Sequence, residues 1–474
     1  MSLLFLLALF SQIIPLDDPA YEIVDRLETK GILTRLPDAR PFTIGDLKLS
    51  IPEGDAPALS NTDIFDLERL ILPVPDSRWV PALKLAADNA SFNFGGAVRT
   101  TWRIPDSLRA GPEIRYYGNI GPASFFATHR VTFAPAWDTV FDAKSWRGDE
   151  RPVFAEIPDA RLDFDFDWLH VQAGRSQIKS GPVPDGGLLL STDPWGLDHA
   201  AYTLKWKGVN FTTLFSWLQT DKRMVMHRFS YVAPRWKLGL SEVIVSADTN
   251  DVLPYLFAPT AFYYFMQWNK EQDENILWCF DASVLFPPWG RLYAEFLVDD
   301  FAYEPATGPH KLGWTAGGEW VSVFNSEIDL RADYTGIMKW TYAQRHDNQN
   351  YTFRGRILGD DLGPDADRTR VVLSWRLIPR LKLELSGFLE RHGEGDVWRD
   401  FTDDGADTPE EFHPPFPSGV VENHLGGEGT VEYTILGRSF ICLKARWESV
   451  MNLGHVAGSS TILPRIQTSF YWEF

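Results

Sequence analysis

The 474 residues predict an all-β transmembrane barrel of about eighteen antiparallel strands, with a small α-helical N-terminal domain on the periplasmic side. Three observations point there. The C-terminal residues Phe470, Trp472 and Phe474 alternate with Ser469, Tyr471 and Glu473, so one face of the last strand is aromatic and the other polar. An exposed aromatic edge strand invites aggregation in water, whereas in a closed barrel the same row meets lipid and closure removes the edge. Second, aromatic residues make up 14% of the chain while mean hydropathy is slightly negative at −0.20. No internal apolar run has the length of a transmembrane helix, and a barrel's polar lumen dilutes its lipid-facing residues in any window average. Third, long and short connections alternate along the chain.

Met1–Phe10 is a compact apolar run followed by Ser11 and Gln12. It reads as the apolar region of a secretory signal peptide spanning residues 1–12, although no Lys or Arg precedes it and the cleavage-site residues match poorly. Residues 17–75 read as a helical periplasmic domain. Tyr21, Val24 and Leu27 follow helical spacing behind Asp18-Pro19, and Gly31 supplies a stop. Residues 43–49 resemble a second short helix, and 61–72 a third, halted by Pro73 and Pro75.

From about Asn89 to the end the period changes to two, which makes 89–474 the barrel. In 161–168, Asp163, Asp165 and Asp167 share one face, and Leu162, Phe164, Phe166 and Trp168 the other. Segments 327–334 and 380–386 repeat the pattern, with charge on one side and Leu, Ile or Tyr on the other. That recurrence favours water inside and lipid outside. Short turns are expected at Pro234-Arg235, at 287–290, at Asn325, at Pro379-Arg380 and at Gly437-Arg438. Between them lie long connections at 137–155, 180–198, 248–274, 336–367 and 392–426. Bacterial barrels place short turns in the periplasm and long loops outside, and an even strand count puts both termini in the periplasm.

A net charge of −19 argues against nucleic acid as a partner. The two cysteines, Cys279 and Cys442, lie far apart in strand-like segments and read as inert packing thiols. No CxxC or Cys/His cluster suggests a metal, and no cofactor is expected.

Several stretches carry a family resemblance: 174–182 with 186–191 and Pro194, 226–231, 240–244, Pro254-Tyr255, 292–300 and the helical opening 19–27. Together they resemble the Wzi-type capsule assembly family. The resemblance implies an eighteen-stranded outer-membrane barrel with a helical N-terminal domain. It also implies a surface lectin that retains capsular or exopolysaccharide. One departure stands out: the family often has Trp before the Gly-Pro of the first stretch, where this chain has Ser180.

Sugar recognition needs flat aromatic faces and planar polar groups. The expected external loops offer Trp137, Trp146, Arg147, Trp195, Trp340, Tyr342, Arg345, Trp398 and Arg399. The bland reading of each aromatic is the interfacial girdle of any membrane barrel. Arg175, Arg228, Glu242, Glu295 and Asp299 are expected to face the lumen, either along a ligand path or as an ion-pair lattice filling the interior.

No catalytic motif such as GxSxG or HExxH is present. Asp299 and Asp300 are strand neighbours expected on opposite faces, unsuited to a glycosidase pair. The acidic segment 359–367 matches no calcium loop and reads as solvated. The sequence therefore favours a monomeric, non-enzymatic outer-membrane lectin whose partners are polysaccharide and membrane lipid. A porin or other diffusion channel is the alternative.

Overall fold

The structure, a computed structural model, describes residues 20–42, 59–71, 85–87, 90–104, 107–120, 122–134, 153–192, 195–247, 255, 262–270, 274–302, 304 and 308–473. The predicted signal peptide and the predicted helix at 43–49 lie outside them.

Eighteen strands close into one antiparallel barrel. They are β1 Ala90–Ile104, β2 Ser107–Ile120, β3 Ala123–Phe133, β4 Val153–Asp165, β5 Leu169–Ser176 and β6 Leu197–Trp206. Next come β7 Val209–Gln219, β8 Lys222–Val232, β9 Trp236–Ser246, β10 Asn275–Phe286, β11 Gly290–Asp300 and β12 Lys311–Trp320. The circuit ends with β13 Ile328–Ile337, β14 Ala366–Ile378, β15 Leu381–His392, β16 Glu422–Leu436, β17 Ser439–Met451 and β18 Arg465–Glu473. Each pairs with its sequence neighbours, and β18 returns to β1 in the register Ala97↔Glu473 through Ile104↔Ile466. Closure leaves no open sheet edge.

The alternation predicted for the last strand holds. Phe470 and Trp472 face outward with their rings stacked 6.4 Å apart, while Tyr471 and Glu473 are buried inside. The same alternation runs round the wall, with Leu162, Phe280, Phe296, Leu385 and Leu443 exposed outside and Asp163, Asp281 and Glu295 buried inside. Trp168, Trp206, Trp236, Trp289, Trp320 and Trp375 are all exposed near the end that carries the short turns. Their place toward one end of the wall is that of the interfacial girdle of a membrane barrel.

Among the described residues two helices precede the barrel. Helix α1, Ala20–Thr29, ends where Gly31 adopts φ +75°. There the Ile32 amide donates back to the Leu27 carbonyl at 2.9 Å, satisfying a terminal acceptor. Helix α2, Asn61–Ile71, is capped reciprocally: the Asp63 amide donates to Ser60 Oγ (3.1 Å) and the Ser60 amide to Asp63 Oδ2 (2.9 Å). Ile23, Val24, Leu27, Ile32, Leu36 and Phe42 form the apolar core of this unit. A third helix, α3 (Tyr263–Lys270), lies in the connection between β9 and β10.

Candidate functional site

The site is defined first by what fills the barrel. At the short-turn end, α1 presents charge to the inner wall. Arg26 donates to Asp329 Oδ2 on β13 (2.9 Å), to Glu327 (3.0 Å) and to Asp63 of α2 (2.7 Å). Lys237, inward-facing on β9, donates to Glu28 (2.7 Å) and Asp38 (3.0 Å). Arg376 reaches Glu22 (3.1 Å) and Asp329 (2.9 Å). Burial alone would raise the Asp25 carboxyl, but the Arg40 and Arg291 guanidiniums beside it hold it down at about 2. The helical unit is thus seated in the mouth of the barrel by buried ion pairs, each charge compensated by a partner.

From the opposite end, residues 177–192 descend into the lumen. Ser180 pairs with Leu190, and Lys179 pairs backbone to backbone with Arg40 (2.9 and 3.1 Å). The plug from one end and the loop from the other therefore meet inside the barrel. Above them Leu188, Leu189 and Leu190 pack with inward residues of the wall, among them Leu214, Met226, Val243, Leu277 and Leu297. The connection 338–365 closes this apolar core: the Tyr342 hydroxyl donates to the Leu188 carbonyl (2.6 Å) and the Tyr351 hydroxyl to that of Leu189 (2.8 Å). Buried phenols need such acceptors, and here the backbone supplies them.

The five residues expected to face the lumen separate into three kinds. Arg228 and Glu295 are buried inside: Arg228 pairs with Asp281 (2.6 and 2.9 Å), and Glu295 accepts the Leu188 amide (2.7 Å). Asp299 also lies inside, accepting the Tyr342 amide (2.6 Å). Arg175, half-buried, holds Asp198 on the neighbouring strand with two bonds of 2.7 and 2.6 Å. Glu242 is a correction. Its neighbours Ser241 and Val243 face the lumen, so strand alternation turns Glu242 to the outer wall. It is tolerated there because α3 covers it: the Tyr263 and Tyr264 amides and Trp278 Nε1 all donate to its carboxylate, at 2.8, 3.1 and 2.9 Å. A carboxylate at a helix N-terminus satisfies otherwise orphaned amides.

Of the aromatic and basic loop residues, Trp137, Trp146 and Arg147 lie outside the described residues. Trp340 and Tyr342 require correction as free sugar-stacking faces. Trp340 is 2% exposed, with its indole donating to Asp404 Oδ2 (2.9 Å), and Tyr342 is fully enclosed by the lumen core. Trp195 is partly buried against that core under the Arg356 guanidinium, 4.5 Å from its ring. Trp398 is exposed, and Arg399 beside it reaches Asp404 (2.6 Å). Segment 359–367, read as solvated, is instead built in. Asp365 is buried and accepts Ser418 Oγ (2.6 Å) and the Ser418 and Gly395 amides (2.9 and 3.0 Å), while Asp360 pairs with Arg368 (3.0 Å).

At the long-loop end a cleft of about 710 Å³ crosses the rim of β10 and β11. Tyr264, Trp278, Asp299, Asp300, Phe301, Lys311, Arg345, Asp400 and Phe401 are among the residues that line it. Asp299, buried, and Asp300, exposed, alternate along the strand, and both line the cleft because it crosses the strand end, where the register shifts between Val298 and Asp300. Lys311 lies 3.1 Å from Asp400 and donates to the Ala343 carbonyl at 2.8 Å. No sequence spacing announces this group, which comes from four separate connections; Lys311, Phe301 and Phe401 were not anticipated.

No family model and no curated protein matches this chain. Among solved structures it is similar to Wzi of Escherichia coli, described as an outer membrane protein involved in group 1 capsule assembly and a carbohydrate-binding β-barrel. The TM-score is 0.65 at 10% identity, over 98% of this chain and 99% of that one. OccD3 (OpdP) of Pseudomonas aeruginosa gives a TM-score of 0.49 at 10% identity over 83% of this chain and 93% of that one. OccAB1 of Acinetobacter baumannii gives 0.48 at 11% identity over 84% and 100%. The chain shares the Wzi barrel fold over nearly its whole length.

Proposed function

We propose that this chain is an outer-membrane barrel that retains surface polysaccharide through its long-loop end and does not conduct through its interior. The observation that carries the reading is the meeting of the two plugs at Arg40 and Lys179. A diffusion channel needs a continuous aqueous lumen. Here an N-terminal unit anchored by buried ion pairs and an apolar core of loop and wall side chains occupy the path. In this reading the short-turn end and the helical unit face the periplasm, a signal peptide directs export, and the loops face outward.

Glycan capture falls to the exposed Trp398-Arg399 pair, to Arg345 and to the rim cleft. Each molecule would hold a few sugar units weakly, and many copies along one polymer would supply the retention. No step of this mechanism requires bond making or breaking.

Planar-bilayer recording and a polysaccharide-release assay test it together. The expected results are no large steady conductance from the intact protein and loss of cell-bound polysaccharide on deletion. A large stable conductance with unchanged retention would overturn the reading in favour of a channel.

A further inference from the structure

We propose that the rim cleft is a subsite for a sugar unit bearing a free amine. The inference rests on the glycan-binding reading of the loop end and assigns a ligand chemistry to one part of it.

Two carboxylates carry the argument. Asp299 is 7% exposed and Asp400 1% exposed, and both line the cleft. Asp299 uses Oδ2 to accept the Tyr342 amide, and Asp400 Oδ1 lies 3.1 Å from Lys311. Asp299 Oδ1 and Asp400 Oδ2 have no hydrogen-bond partner among the described residues. A buried carboxylate oxygen left without a donor is unfavourable, and a ligand that brings donors relieves it.

The charge of the lining selects among such ligands. Five carboxylates and two cationic side chains line the cleft, and Lys311 is already committed to Asp400 and the Ala343 carbonyl. A uronate would meet net repulsion there, whereas a hexosamine ammonium brings three donors and the complementary charge. Among the described residues no three carboxylate, histidine or cysteine side chains are placed to ligate one metal ion. Phe301, half-exposed at the edge, offers an apolar face to a sugar ring. The volume lies within the range of roughly 300–1,000 Å³ typical of small-molecule sites.

Calorimetric titration of the full chain in detergent tests the assignment, using a glucosamine tetramer, its N-acetylated equivalent and a glucuronate tetramer at pH 6. The glucosamine tetramer should bind at least tenfold more tightly than the acetylated one, with no saturable binding of the glucuronate. Asp400→Asn should remove about tenfold of that affinity while heat-modifiable gel mobility stays at the wild-type value. Asp300→Asn, at the exposed rim, gives a second measurement if the buried variant does not fold, and should weaken binding in the same order. Equal binding of the acetylated tetramer, preference for glucuronate, absence of any glucosamine binding, or no effect of either folded variant would overturn the subsite. Cell-bound polysaccharide that persists in both variants while glucosamine binding is absent would overturn the subsite and leave the retention reading standing. Glucosamine binding by a chain whose deletion leaves polysaccharide retained would do the reverse.

Discussion

Arg228 on β8 donates to Asp281 on β10 across the whole width of the intervening strand β9, at 2.6 and 2.9 Å. The two side chains meet over Gly239, where a Cβ would collide with both. Ser241 Oγ, on the same inner face of β9, takes a further bond from Arg228 at 2.9 Å. The missing side chain is thus what lets a charge pair span three strands.

Gly239→Val should therefore displace the pair and leave two buried charges poorly compensated. The expected cost is about 3–5 kcal/mol, the range for breaking a buried ion pair. A lowered urea midpoint and a smaller heat-modifiable fraction on gels would register it. Wild-type values for both would show that the wall relaxes around the new side chain.

Arg26 is the cation on which the N-terminal plug turns, with Asp63, Glu327 and Asp329 converging on one guanidinium. Arg26→Ala strands the fully buried Asp63 and the nearly buried Asp329, although Lys30 and Arg376 retain contacts with them. A loss of about 3 kcal/mol is expected. Accelerated proteolysis of the N-terminal segment from the short-turn side would report its release, while the barrel itself stays protease-resistant.

Two tryptophans thought alike in the sequence should separate cleanly. Trp340→Ala empties a buried site and should destabilise by about 3–5 kcal/mol. Trp398→Ala, on the surface, should change stability by no more than about 0.5 kcal/mol. Combined with Arg399→Ala, it should instead loosen cell-bound polysaccharide in a release assay. Unfolding midpoints and retention measured on the same preparations would expose any reversal of these roles.

Leu385 faces outward near the middle of β15. Leu385→Arg should cost about 2–4 kcal/mol in lipid vesicles, the cost of a cation on the lipid face near the midplane. Folding free energies measured in vesicles would show no penalty if this face met water.

The barrel was legible because its signals are local. Alternation at Phe470–Glu473 and at 161–168, and turn residues such as Pro379-Arg380, encode strand, face and connection within a few positions. The two helices were legible for the same reason, from the spacing of Tyr21, Val24 and Leu27 and from Pro73 and Pro75 after the second. Their seat inside the barrel was not, because nothing near Arg26 in sequence names Asp329. Glu242 was misassigned because a polar strand residue reads as lumen-facing, and the covering helix α3 begins only some twenty residues later. Trp340 resembles any loop aromatic until the connection 338–365 folds inward around it. The cleft was illegible because Asp299, Lys311 and Asp400 are brought together only by closure of the wall and packing of its loops.

The seating of α1 has a consequence for the order in which the molecule is put together. Arg26 and its partner Asp329 stand 303 positions apart, and Glu22 reaches a partner 360 positions away at Lys382. The first described helix to be synthesised therefore has no berth until β13 to β15 exist. Order of manufacture and order of docking run in opposite directions, and contacts of such long range are slow to form. Until the wall arrives, the acidic and basic groups of α1 remain hydrated, so the segment travels as a solvated lead and becomes a stopper only at the end.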